Sequence, residues 1–142
     1  MRLYAITAAF GLAASATFAG DATTYAFDGS FEDAAFGVES AILDRGLVID
    51  YVSHVGEMLE RTRADVGGEM LFEEADIFIF CSAVLSRKVM EADPMNIAHC
   101  PYGVFVAQMG GEVMVGYRNL PEGAMQEVQA LLDGIAREAA GQ

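Results

Sequence analysis

Ala75-Asp76-Ile77-Phe78-Ile79-Phe80 is nearly continuous in apolar, β-branched and aromatic residues, the pattern of a central strand covered on both faces. Cys81 stands at its end. Before it, Leu47 to Val52 reads as a strand, and Ser53 is placed to cap a short helix through Met58, Leu59 and Thr62 that Gly67-Gly68 ends. Further back, Thr23 to Phe27 alternates as a strand and Asp28-Gly29-Ser30 turns the chain. Phe31 to Arg45 then carries Ala34, Val38, Ala41 and Ile42 at helical spacing, with Glu32 and Asp33 in the first turn and Gly46 as the stop.

On the other side of the strand, Val84 to Glu91 has helical spacing and Asp93-Pro94 stops it. Tyr102 to Gln108 and Glu112 to Tyr117 flank Met109-Gly110-Gly111, which reads as a β-hairpin on a glycine turn. Pro121 opens a long helix through Val128, Leu131, Leu132 and Ile135. Strands and helices do not alternate strictly along this order. The fold class is therefore α+β: a mostly antiparallel sheet with helices packed on one face.

The N-terminus has a different character. Met1-Arg2, the apolar stretch Leu3 to Ala16, and Thr17-Phe18-Ala19 have the three-part layout of a secretion signal cleaved after Ala19. The expected organisation is residues 1–19 as signal peptide and residues 20–142 as one domain, working in the periplasm. The apolar run is shorter than the roughly 20 residues a membrane-crossing helix needs, so no stable membrane insertion is expected after cleavage. The chain carries 21 acidic against 8 basic residues, a formal charge of −13, and losing Arg2 with the signal makes it more negative still. Such a surface repels phosphate backbones, and nucleic acid is excluded as a partner.

Several common sites are absent as motifs. There is no G-x-S-x-G, H-E-x-x-H, phosphate loop, G-x-G-x-x-G or C-x-x-C-H, and the histidines are two, His54 and His99. Attention falls on Phe80 to Tyr102, which holds both cysteines at its ends. If the strands ending at Phe80 and beginning near Tyr102 are antiparallel neighbours, Cys81 and Cys100 share one rim of the sheet.

Three readings of that pair stand open. In an oxidising compartment two cysteines pair by default, and a disulfide closing this loop stabilises by about 3 kcal/mol in the chain-entropy model. Two buried free thiols are the second reading. The third is a functional site: Cys81, Cys100, His99, Met90 and Met95 are thiolate, imidazole and thioether donors, the set that prefers Cu(I), and the adjacent His99-Cys100 is a candidate to offer an axial ligand to non-covalent haem. Ser86, Arg87 and Lys88 on the intervening helix, with Tyr102 and Arg118, form a candidate ligand or partner rim. The plainer reading of Arg87 and Lys88 is a solvated helix face paired with Glu91.

Phe80-Cys81-Ser82-Ala83, Leu85 to Pro94, Asn96-Ile97 and Cys100-Pro101-Tyr102 resemble the signature of the domain of unknown function 302 family. Glu57 to Thr62 resembles its exported, cysteine-bearing branch. The resemblance implies a strand, helix, four strands and helix, similar to half of the TATA-binding-protein fold, and pairing as homodimers. It implies no activity, and many relatives lack the cysteines. The expected function is a non-enzymatic periplasmic binding or accessory protein whose rim holds a small ligand, a soft metal, or a redox or metal-carrying partner. The alternatives are a thiol-disulfide redox enzyme using Cys81 and Cys100, and a structural homodimer module stapled by a disulfide. A redox enzyme is weakened by the spacing, since reactive pairs usually occur as Cys-x-x-Cys at a helix start.

Overall fold

The architecture follows from which strand faces are apolar. The structure, a computed structural model, describes residues 17–142. Six strands form one antiparallel sheet in the order β1-β2-β6-β5-β4-β3: β1 (Thr17–Ala19), β2 (Ala22–Phe27), β3 (Val48–Ser53), β4 (Glu74–Cys81), β5 (Tyr102–Met109) and β6 (Glu112–Arg118). The helices are α1 (Phe31–Leu43), α2 (Val55–Val66), α3 (Ala83–Ala92) and α4 (Gln126–Ala139), with a 3-10 helix at Pro94–His99. The frame is the expected strand, helix, four strands and helix, with α2 and α3 set into the connections around β4. The secretion signal expected over residues 1–19 lies, apart from the short edge strand β1, outside the described residues. No described helix is long and apolar enough to cross a membrane.

Alternate strand residues face the core: Tyr25, Phe78, Phe80, Tyr102, Val104, Val106, Val113, Val115 and Tyr117. Ala34, Val38, Ala41 and Ile42 of α1 and Val128, Leu132, Ile135 and Ala136 of α4 pack onto them, so both long helices cover one face. The second face is more open. Ile77 and Ile79 of β4 and Phe105 of β5 are half-buried there, so the two-sided burial read from Ala75 to Phe80 holds on one side only in full.

Two boundaries differ from expectation. Pro121 does not open α4, because Gly123 adopts φ +93° and the helix starts at Gln126. The intervening loop is held instead by Gln126 Nε2 donating to the Leu120 and Pro121 carbonyls and by Leu120 N–H donating to Gln129 Oε1. Ser53 is the last residue of β3, and His54 occupies the N-cap of α2 without a side-chain capping bond. Its Nδ1 instead lies 2.7 Å from Asp76 Oδ1 of β4.

Candidate functional site

The antiparallel pairing of β4 with β5 puts Phe80 opposite Tyr102, so the residues just beyond them meet at one rim of the sheet. Between them the chain makes an excursion through α3 and the 3-10 helix. Ser82 caps α3 by accepting from Leu85 N–H at 3.3 Å, and Asp93 caps the 3-10 helix by accepting from Met95 N–H at 2.9 Å. The excursion returns through a cis Cys100–Pro101 peptide. Cys81 Sγ and Cys100 Sγ lie 3.2 Å apart as thiols in hydrogen-bond contact, both half-buried. Ser86 Oγ stands 3.8 Å from Cys100 Sγ and 3.0 Å from the Tyr102 hydroxyl. The Tyr102 ring meets Phe80 edge to face, with centroids 6.4 Å apart.

This setting keeps Cys81 protonated. Burial, reinforced by the hydrogen bond and charge of Cys100, pushes its thiol up to about 11. Burial likewise raises the Tyr102 phenol, against the lowering effect of its bond to Ser86.

The other candidate residues spread out. Met90 packs against the core, and Met95 is 70 % exposed. Among the described residues no three of His, Cys, Asp or Glu converge as metal ligands, so His99 does not join the cysteines as a third donor. Arg87 pairs with Glu91 at 3.1 Å, and Lys88 reaches past its own helix to Glu127 at 2.6 Å. Both serve the solvated side of α3. Ser86 is the rim residue whose side chain reaches a thiol, that of Cys100, and Tyr102 joins it through the Ser86 hydroxyl.

His99 and Arg118 instead line a groove of about 640 Å³ at the same rim, whose floor includes Ile77, Ile79, Gly103 and Phe105. The floor residues were not singled out from sequence, although Ile77 and Ile79 carried a signal. In a sheet covered on one face, the second apolar register of Ala75 to Phe80 has to line something other than the core.

Also unforeseen is the polar cluster under α4. Tyr25 and Tyr117, both buried, donate their hydroxyls to Asp133 Oδ1, the second at 2.8 Å. Arg137 Nε donates to Asp133 Oδ2 at 2.8 Å, and its guanidinium lies 4.8 Å from the Tyr25 ring centroid. Burial works to raise the Asp133 carboxyl, but the bonds from Tyr25, Arg137 and Tyr117 together hold it below its ordinary value. The sequence signal was the i, i+4 spacing of Asp133 and Arg137, which alone reads as a surface pair.

Comparison with known proteins agrees with the fold. The family model described as "Domain of unknown function DUF302" matches residues 23–142. The chain belongs to the DUF302 family. A crystal structure of an uncharacterized conserved DUF302 protein from Bacillus stearothermophilus superposes with a TM-score of 0.62 at 16% identity, covering 87% of this chain and 95% of that one. At that identity the likeness concerns the fold. No curated protein matches the chain.

Proposed function

We propose that this DUF302 protein is an exported accessory protein whose working group is the Cys81–Cys100 dithiol, exchanging two electrons with a thiol-bearing redox partner in the periplasm. The observation that carries the reading is the 3.2 Å approach of two sulfurs 19 residues apart in sequence. In the oxidising direction the two thiols lose two protons and two electrons and join as a disulfide. The partner's disulfide takes up both and leaves as two thiols. Burial holds the Cys81 proton well above neutral pH, which slows attack by that thiol, and beside Cys100 stands the Ser86 hydroxyl, itself bonded to the Tyr102 hydroxyl. A suppressed thiolate and the lack of a Cys-x-x-Cys helix start favour slow exchange with a dedicated partner over rapid catalytic turnover.

The test is the reduction potential of the pair in protein secreted to the periplasm, measured by equilibration with glutathione and read by intact mass. A potential above about −300 mV supports exchange, whereas a lower one marks a structural staple and overturns the proposal. The same mass spectrum reads the N-terminus, expected at Gly20.

A further inference from the structure

The groove at the sheet rim has a chemistry of its own. Every other lysine and arginine among the described residues is in an ion pair: Arg45, Arg61, Arg63, Arg87, Lys88 and Arg137. The Arg118 guanidinium has no ion pair or hydrogen-bond partner there, in a chain of formal charge −13 where acidic partners abound. A guanidinium left unpaired among so many carboxylates, at the edge of an apolar groove, has the fork geometry that takes a carboxylate. The His99 ring, also without a hydrogen-bond partner among the described residues, offers a second donor on the same lining.

The floor is built by glycines. Gly103 pairs with Ile79 and Gly116 with Phe105 across adjacent strands. A Cβ at Gly116 would lie within 2.4 Å of Phe105 Cζ, and one at Gly103 within 3.1 Å of Ile77 Cγ2. The missing side chains let the isoleucines and Phe105 lie flat along the sheet as a continuous apolar surface. The volume, about 640 Å³, suits a small molecule.

We propose that this groove binds a free monocarboxylate with an apolar chain, its carboxylate on the Arg118 guanidinium and its chain along Ile77, Ile79 and Phe105. This goes beyond the thiol exchange above and does not depend on it. Asp21 also lines the groove and opposes an anion, but cleavage after Ala19 would place the new α-ammonium of Gly20 beside it. Asn119 holds both residues at this rim, accepting none of that charge itself: its N–H donates to the Asp21 carbonyl at 2.7 Å and its Nδ2 to that of Gly20 at 3.2 Å.

The experiment is calorimetric titration of residues 20–142 with dodecanoate, dodecanol and dodecyltrimethylammonium. Dodecanoate is expected to bind best. Arg118→Gln, at an exposed residue whose side chain has no described partner, is expected to fold normally and weaken dodecanoate about tenfold while leaving dodecanol unchanged. Equal binding of acid and alcohol, no binding of dodecanoate, or an Arg118→Gln variant that binds it as before would each overturn the proposal. So would binding to phosphatidylglycerol vesicles without binding of free dodecanoate.

Discussion

At the residue scale, the cysteine pair is governed by a proton. Reduced, folded protein holds the Cys81 proton up to about 11, whereas an unfolded thiol releases it near about 8.5. Between those values unfolding releases a proton, so the stability of the reduced protein falls as pH rises through the window. The oxidised protein has no such proton to lose. Urea unfolding of both forms from pH 7 to 11 is expected to show the reduced form losing stability faster; parallel curves would mean that Cys81 is not held protonated. The rim position of the two cysteines was legible from sequence, because an antiparallel pairing of the two flanking strands fixes it. The placing of Met90, Met95 and His99 was not. Donor type says what a side chain can bind, while the path of an irregular excursion decides whether donors converge.

Elements with a strong period were read nearly to their ends. Gly110 and Gly111, at φ +58° and +80°, make the two-residue turn that the β5–β6 hairpin requires. Helix starts were read less well, since Pro121 and Ser53 are signals that tertiary contacts override. The attachment of α4 shows such a contact. Asp133→Ala leaves two buried tyrosine hydroxyls without their acceptor and is expected to cost about 3 kcal/mol in urea unfolding. The Asp133 carboxyl is depressed in the folded protein, so its contribution is present above the unfolded carboxylate value of about 3.9 and is lost as pH falls through the lower folded one. The wild type is therefore expected to lose stability in acid that Asp133→Ala has already lost, and an unchanged acid transition would contradict the depressed carboxyl. Helix α2 hangs on a closer contact. A Cβ at Gly56 would come within 2.6 Å of the Ala75 nitrogen, a backbone atom that cannot yield cheaply. Gly56→Ala is expected to destabilise by about 1–3 kcal/mol and to speed amide exchange in α2 ahead of the rest; unchanged exchange there would show that α2 does not depend on this approach.

For the whole molecule, the question is which sheet edge is left unpaired. One edge is β3, whose register shifts between Ile49 and Tyr51, an irregularity that spoils a regular ladder and discourages further pairing. The opposite edge is β1, which covers β2 and consists of the last three residues of the expected secretion signal. Cleavage after Ala19 would therefore remove the cover and present Ala22–Phe27 as a regular edge strand. Two such edges related by a two-fold axis pair antiparallel, which would join two sheets into one and give the homodimer implied by family resemblance a place to form. Residues 20–142 are accordingly expected to dimerise with rising concentration in sedimentation equilibrium, while the chain beginning at Thr17 stays monomeric. Amide exchange in Ala22–Phe27 should slow on dimerisation. Equal masses for the two chains at every concentration, or a dimer in which those amides exchange as in the monomer, would exclude β2 as the joining edge.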